Sequence, residues 1–313
     1  MSEVFTLTGK RIWVAGHAGM VGSALVRRLA KENCEVLTMG REQLDLRDQA
    51  ATNAWIVETK PDAIILAAAK VGGILANASY PADFLHDNLM IATNVISAAH
   101  QNDVDRLLYL GSSCIYPRDA AQPIEEHALL SGPLEQTNEA YAIAKIAGLK
   151  LVKAYRTQHG RDYINAMPTN LYGPGDNFDL ETSHVLPALM RKVHEAKMAT
   201  SPFLEIWGTG TPRREFLHVD DCADALVFLL KNYSDIEHIN VGSGDDISIE
   251  GLANLVCEIV GYHGPIAYDR SKPDGTPRKL MASGKLMKMA WTPKTSLRQG
   301  IEQTYQWYLE NHA

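Results

Sequence analysis

Short apolar runs alternate with longer amphipathic stretches through the first half of the chain. Apolar runs of this length are typical of buried strands, while apolar positions three or four apart indicate helices. The predicted strands are 11–16, 34–39, 63–69, 106–112 and 163–171. The predicted helices are 20–32, 48–59, 82–101 and 138–159. Because alternation of this kind builds a parallel sheet covered on both faces, we predict an α/β fold with a doubly wound (Rossmann) sheet.

The pattern loosens after residue 174, where elements shorten and glycine and proline become more frequent. Residues 215–230 and 238–244 return to the strand and helix patterns of an α/β core. We therefore predict two lobes, with a chain that crosses between them more than once. A dinucleotide-binding domain comprises 1–174 plus 215–245, and a smaller C-terminal α/β lobe for substrate comprises 175–214 plus 246–313.

Composition narrows the class of protein. The 313 residues are 46% hydrophobic, enough for a sizeable core, and the net charge of −7 argues against nucleic-acid binding. No stretch has the length and apolarity of a membrane span, and the N-terminus lacks a signal-peptide layout. The cysteines are too dispersed for a disulfide framework or a metal site: Cys34, Cys114, Cys222 and Cys257. The cytoplasm is the expected location.

The first predicted strand ends in GHAGMVG, with glycines at 16, 19 and 22. Glycine allows a tight turn and lets backbone approach a pyrophosphate at a helix N-terminus, where N–H groups are free. An ordinary strand-to-helix turn is the alternative interpretation. The position after the first strand, at the start of an amphipathic helix, favours a dinucleotide.

The end of the second strand bears on which dinucleotide is bound. An NAD site has an acidic residue there to hold the ribose 2′-hydroxyl, but this strand ends in Gly40 and Arg41. Arginine pairs with a 2′-phosphate, so we predict NADPH/NADP, with a solvated surface arginine as the alternative. Asp45 and Leu46 follow in a loop that would lie against adenine.

Tyr141 and Lys145 stand four residues apart in a predicted helix, on one face. A neighbouring ammonium and a cationic nicotinamide would lower the pKa of the tyrosine and suit it to proton transfer at a carbonyl oxygen. The spacing alone is common by chance. With the glycine turn and Ser112 at the end of the fourth strand, it becomes a strong signal for carbonyl reduction.

Together these motifs resemble the extended short-chain dehydrogenase/reductase family, and within it the GDP-L-fucose synthase subfamily. The resemblance spans nearly the whole chain. The stretches that carry it are AAAKVGGI (67–74), YPADF (80–84), NLMI (88–91), LGSSCIYP (110–117), AYAIAKIAG (140–148), MPTNLYGPGDNF (167–178), SHVLPAL (183–189), GTGTPRREFLHVDD (208–221) and KPDGTPRKL (272–280). The resemblance implies NADPH-dependent 3,5-epimerisation and 4-keto reduction of GDP-4-keto-6-deoxy-D-mannose.

The same resemblance assigns the roles of individual residues. It places proton transfer at carbons 3 and 5 on Cys114 and His184, and carbonyl reduction on Tyr141, Lys145 and Ser112. Contacts to the cofactor are expected from Gly16, His17, Gly19, Met20, Val21, Gly22, Arg41, Asp45, Leu46, Ala67, Ala68, Lys145, Pro168, Asn170, Leu171 and His184. Contacts to the GDP-sugar are expected from Lys192, Trp207, Arg214, Lys279 and Asn170. A homodimer through the helices 82–101 and 138–159 is also implied, with no nucleic-acid or membrane partner.

Alternatives remain for several of these interpretations. From the residues alone, Cys114 is as well explained by a buried packing thiol, and His184 by a surface or capping histidine. Lys192 could be a solvated helix charge and Trp207 a core aromatic. For the whole chain, the alternatives are a related GDP-4-keto-sugar enzyme, such as a colitose-type synthase, and a non-catalytic dinucleotide sensor. The sensor is disfavoured because such proteins lose the Tyr or Lys.

Overall fold

The structure is a computed structural model that describes residues 3–272 and 274–312. Met1, Ser2, Pro273 and Ala313, which the predicted lobes include, lie outside the described residues. The strands are β1 (Arg11–Ala15), β2 (Glu35–Leu37), β3 (Ala63–Leu66), β4 (Arg106–Leu110), β5 (Asp162–Pro168), β6 (Asn170–Tyr172), β7 (Leu204–Trp207), β8 (Arg213–His218), β9 (Ile239–Val241), β10 (Asp246–Ser248), β11 (Ile266–Asp269) and β12 (Arg278–Lys279). The helices are α1 (Met20–Leu29), α2 (Gln49–Thr59), α3 (Ile74–Ser79), α4 (Pro81–Gln101), α5 (Glu139–His159), α6 (Val185–Met198), α7 (Val219–Asn232), α8 (Ile249–Val260), α9 (Gly284–Lys288) and α10 (Leu297–His312).

Six parallel strands form the main sheet in the order β2-β1-β3-β4-β5-β9. The β3 and β4 strands are buried at every position, which explains their continuous apolar sequence. From β1 the chain first adds β2 on one side of the sheet and then adds β3 on the other side, so the strand order reverses at β1. Such a reversal opens a crevice at the carboxyl ends of the strands, where ligands bind in doubly wound folds. The predicted fold class is confirmed.

Helices cover both faces of this sheet. Buried residues of α1 and α7 pack with strand residues into one apolar core, exemplified by Leu25 and Leu226. Buried residues of α2, α4 and α5 form a second core on the opposite face, exemplified by Ile56, Val95 and Leu149. Burial of these large aliphatic groups stabilises the fold by roughly 2 kcal/mol each.

A second lobe rests on smaller sheets. One contains β10, β8 and β12, with β6 paired to β8, and the other pairs β11 with β7. The helices α6, α8 and α10 pack against these strands around a third apolar core that includes Met190, Val256 and Ile301. Within the described residues, no helix is both long and apolar enough to cross a membrane.

Two details of the second half differ from the sequence pattern. The predicted strand 163–171 is two strands, since β5 ends at Pro168 and β6 joins the second lobe. The strand that contains 215–218 also lies in the second-lobe sheet, while the helix after it packs on the main sheet. Apolar periodicity indicates burial and not the sheet that a strand joins, so the lobe boundaries themselves stay a prediction.

Candidate active site

An open cleft of about 490 Å³ lies at the carboxyl ends of β1, β3, β4 and β5, where the strand order reverses. Loops from both lobes line it, including the turn after β1 and the segment 168–184. A cleft at this point of a doubly wound sheet is the usual ligand site of the fold.

The glycine turn forms the floor of the cleft. Gly16 has a φ of +91°, and a Cβ there would come within 2.6 Å of the backbone of Ala68. A Cβ on Gly22 would lie 2.0 Å from the carbonyl oxygen of Gly16, so the close packing of helix on strand requires glycine. By contrast, a Cβ on Gly19 would have only one heavy atom within 4 Å. Gly19 therefore leaves its backbone open to the cleft.

The N-terminus of α1 points its free backbone donors to the same space. Gly19 is the N-cap, no side chain caps the helix, and the first turn carries no acidic residue. Residues 19–22 all line the cleft. Unpaired N–H groups and the positive end of the helix dipole fit a pyrophosphate, so the residues present fit a dinucleotide cofactor.

The wall at the end of β2 is rich in charge. Arg41 lines the cleft and makes no ion pair with a carboxylate in the described part of the chain. Arg47 binds Asp45 through two nitrogens, at 2.6 Å for the shortest contact, and also reaches Asp87 at 3.2 Å. The hydrogen bonds from Arg47 lower the pKa of Asp45 to about 2. Arg41 is thus the arginine of this wall that remains available for a phosphate.

The Tyr–Lys pair lies on the opposite wall, on α5. The Nζ of Lys145 is 5.8 Å from the ring centroid of Tyr141 and donates to the carbonyl oxygen of Leu110 at 2.8 Å. Ser112, just after β4, lines the cleft beside them. Burial lowers the pKa of Lys145 to about 8. Three proton-bearing groups therefore converge where a substrate carbonyl can be reached.

The lowering of the pKa of Tyr141 is expected from Lys145 and a cationic nicotinamide together, and it stays a prediction; the protein groups around Tyr141 act in the opposite direction. Burial raises this pKa well above its ordinary value, the nearby groups Cys114 and Tyr109 add to this, and Ser112 offsets it in part. The reason is that burial disfavours the charged phenolate, and it also lowers the pKa of the neighbouring Lys145. A phenol that stays protonated is in the form that donates a proton during carbonyl reduction.

Cys114 occupies a short 3-10 turn, Ser113–Ile115, that separates two cavities. Ser112 and Ser113 face the large cleft, whereas Cys114 lines a small cavity of about 20 Å³ behind it. Its side chain is 7% exposed. Burial raises the pKa of the thiol, while the charges of Lys279 and Lys145 and the hydroxyl of Ser112 oppose that rise. The thiol lies next to the Tyr–Lys pair yet is enclosed in the resting structure.

His184 lies at the N-cap of α6 and lines the large cleft. Its side chain makes no capping hydrogen bond, which disfavours a purely structural capping role. Water reaches the ring through the cleft, but crowding by protein atoms lowers the pKa of the imidazole. His184 is therefore largely neutral at pH 7 and able to accept a proton.

Trp207 projects from the end of β7 and is 59% exposed. The Nζ of Lys192 lies 5.0 Å and that of Lys272 lies 5.4 Å from its ring centroid. The alternative of a core aromatic is wrong for Trp207, since most of its surface is accessible. An exposed indole held between cations suits stacking of an anionic, base-containing ligand.

Arg214 and Lys279 are neighbours across the β8–β12 pairing. The guanidinium of Arg214 donates to the carbonyl oxygens of Arg213 and Thr276. These hydrogen bonds hold the side chain against the loop that precedes β12. Lys279 lines the small cavity with Cys114 and not the large cleft. Asn170 lines the large cleft and donates its amide to the carbonyl oxygen of Glu215 at 2.8 Å.

Most of the predicted site residues converge on the large cleft. Its lining includes Gly16, Gly19, Met20, Val21, Gly22, Arg41, Asp45, Leu46, Ala67, Ala68, Ser112, Tyr141, Lys145, Pro168, Asn170, Leu171 and His184. The lining does not include His17, Cys114, Lys192, Trp207, Arg214 or Lys279. Their predicted roles, like the others, stay predictions.

Several residues of the cleft were missed from the sequence. Arg47, Asp87 and Lys70 form a chain of ion pairs along one wall, which joins segments far apart in the sequence. Asp176 lies in the loop before α6 and has a carboxylate oxygen with no hydrogen-bond partner. In the sequence, the signal that could have indicated Asp176 is its position inside the GPGDNF stretch.

No group of three or more His, Cys, Asp or Glu positioned to hold a metal ion occurs among the described residues.

The sheet order, the glycine turn and the Tyr–Lys helix define a dinucleotide-binding enzyme fold of the oxidoreductase and epimerase type. Residues 12–242 match the model of the NAD dependent epimerase/dehydratase family. The chain belongs to this family.

Comparison with individual proteins narrows the relationship. A GDP-L-fucose synthase of Sinorhizobium fredii is 59% identical over 310 residues, 99% of each chain. A GDP-L-colitose synthase of Yersinia pseudotuberculosis is 38% identical over 301 residues, 96% of this chain and 98% of the relative. The crystal structure of a GDP-L-fucose synthetase from Naegleria fowleri bound to NADP superposes with a TM-score of 0.91 at 30% identity, covering 99% of this chain and 97% of that one.

Proposed function

We propose that the protein catalyses NADPH-dependent 3,5-epimerisation and 4-keto reduction of GDP-4-keto-6-deoxy-D-mannose to GDP-L-fucose. The observation that carries the proposal is the placement of Ser112, Tyr141 and Lys145 around one end of the dinucleotide cleft, with Cys114 directly behind them and His184 on the cleft wall. The 59% identity to a GDP-L-fucose synthase over the full length supports the substrate.

The cofactor is NADPH, which supplies hydride to the substrate's carbon 4 when bound. The free donors at the N-terminus of α1 bind its pyrophosphate, and the open backbone at Gly19 admits it. Arg41, which is not paired to a described carboxylate, binds the 2′-phosphate.

The keto group at carbon 4 acidifies the protons on carbons 3 and 5. Inversion at each centre requires a base on one face and an acid on the other. Cys114 and His184 lie on different elements, the turn after β4 and the start of α6, and we assign them to opposite faces of the sugar. Tyr141 then donates its proton to the oxygen at carbon 4, and Ser112 is a second hydrogen-bond donor to that oxygen. Lys145 lies beside the Tyr141 ring and supplies positive charge there.

The GDP moiety lies toward the second lobe in this proposal. Trp207 stacks on the guanine, and Lys192 beside it neutralises phosphate charge. Arg214 and Asn170 contribute further polar contacts at the lobe boundary. We also propose a homodimer through α4 and α5 and a cytoplasmic location, the latter because all four cysteines are free thiols.

The test is a steady-state assay with purified protein, NADPH and GDP-4-keto-6-deoxy-D-mannose. We expect oxidation of NADPH with formation of GDP-L-fucose, identified by NMR. The colitose-type alternative has the weaker support of a relative at 38% identity, and it is tested with the 3-deoxy analogue of the same substrate. If kcat/KM is higher for the 3-deoxy analogue, the colitose-type activity is correct and the proposed one is wrong.

A further inference from the structure

The cavity behind the Ser112–Cys114 turn has an unusual lining for so small a space. Besides the thiol, charged side chains border it: Arg118, Glu135, Arg278 and Lys279. Arg118 is paired with Glu135 at 3.5 Å, and Arg278 is paired with Asp246. Within the described residues, Lys279 has no carboxylate within ion-pair distance. Glu135, which lines the same cavity, acts on Lys279 from beyond that distance. Lys279 is therefore the cation of this cavity that is not held in an ion pair.

The position of Lys279 is fixed by the strand pairing of its backbone. It lies in β12, and its register partner is Arg214 of β8. Burial lowers the pKa of Lys279, the charge of Cys114 raises it, Arg214 lowers it, and the more distant carboxylate of Glu135 raises it. The positive charge of Arg214 on the neighbouring strand therefore disfavours the ammonium form of Lys279. A negative thiolate on Cys114 would stabilise that form.

Lys145, the other lysine near Cys114, makes its contacts with other groups. Lys145 donates to the carbonyl oxygen of Leu110 and lies against the rings of Tyr109 and Tyr141. These two tyrosines and the hydroxyl of Ser112 are neutral neighbours of the thiol. The other cations that line the cavity, Arg118 and Arg278, are held in ion pairs. After burial, Lys279 has the largest effect on the thiol, ahead of Lys145.

We propose that Lys279 is a positioning residue for epimerisation, whose ammonium holds the thiolate of Cys114 across the small cavity. The inference rests on the proposed function and replaces a role for Lys279 in binding the substrate diphosphate. A thiol buried without a cation would stay protonated at neutral pH and could not act as a base. With Lys279 opposite, part of the cost of burying the negative charge is offset inside the cavity, while the pKa of the thiol stays above its ordinary value in the resting protein.

The test measures ionisation of Cys114 in the resting protein. Thiolate absorbance near 240 nm is followed against pH, and the signal of the matching Cys114→Ser protein is subtracted in each background. We expect Lys279→Met to raise the midpoint by about one pH unit or more, and Lys279→Arg to restore it. Arg278→Met is the matched control, since that residue lines the same cavity but is paired, and it should leave the midpoint unchanged.

Kinetic measurements then distinguish two roles for Lys279: stabilising the thiolate of Cys114 and binding the substrate diphosphate. We expect Lys279→Met to slow solvent deuterium exchange at carbons 3 and 5 about tenfold at pH 7, with little change in KM. An unchanged midpoint in a folded Lys279→Met protein overturns the proposal, and a raised KM would then assign Lys279 to the diphosphate. If Met is not tolerated at this position, Lys279→Gln provides the same comparison. The resting titration is independent of the substrate, so failure of the proposed function would not be mistaken for failure of the ion pair.

Discussion

Asp176 offers a quantitative test of the electrostatics of the cleft. Its side chain is 9% exposed, Oδ1 accepts the backbone N–H of Asn177 at 2.8 Å, and Oδ2 has no partner. Burial raises the pKa of this carboxyl from its ordinary 3.8 to about 7, with the hydrogen bond from Asn177 opposing the rise. Asp176→Asn keeps the shape and the hydrogen bond but removes the ionisation.

The magnitude follows from the two pKa values. The neutral form is favoured in the folded state, so stability is fully present below pH 3.8 and is lost as pH rises toward 7. A difference of about three units corresponds to roughly 4 kcal/mol of lost stability above pH 8. Roughly 2 kcal/mol of this is already lost at pH 5, so Asp176→Asn should gain roughly 2 to 3 kcal/mol on the wild type between pH 5 and pH 9.

Urea unfolding of both proteins at pH 5, 7 and 9 measures the difference. We expect the two free energies of unfolding to lie closest at pH 5, to separate mainly between pH 5 and pH 7, and to change little from pH 7 to pH 9, with the variant more stable. A difference that does not change with pH would refute the buried, raised-pKa carboxyl. A variant that becomes relatively less stable at high pH would mean that Asp176 ionises normally and is stabilised as an anion.

Three further substitutions test individual roles in the proposed reaction. Tyr141→Phe should reduce NADPH oxidation about a hundredfold or more while NADPH binding, followed by fluorescence, is retained; unchanged turnover would remove the phenol from catalysis. Arg41→Ala should weaken NADPH binding about tenfold with little effect on NADH, whereas Arg270→Ala, an exposed control, should change neither; equal losses for both cofactors would contradict a 2′-phosphate contact. Trp207→Ala should raise KM for the GDP-sugar about tenfold at similar kcat, and an unaltered KM would exclude stacking.

The sequence predicts best what depends on neighbours along the chain. The glycine turn and the Tyr141–Lys145 spacing are local, and the structure places these residues on one cleft. Contacts between distant segments were not predictable, because periodicity carries no information about which elements meet. The ion pair of Arg47 with Asp87 joins residues 40 positions apart, and Lys279 reaches the cavity of Cys114 through a two-residue strand. The effect of burial on the pKa of Tyr141 was not predictable for a related reason, since burial depends on the whole fold.

The central claim is that one site performs both epimerisation and reduction. The most direct measurement is a single reaction in deuterated water with GDP-4-keto-6-deoxy-D-mannose and NADPH, followed by NMR of the product. We predict deuterium at both carbon 3 and carbon 5 of GDP-L-fucose, with one NADPH consumed per product molecule, and loss of the deuterium label in Cys114→Ser. NADPH consumption without deuterium at either carbon would contradict the account, because the protein would then be a 4-reductase in which Cys114 only fills space.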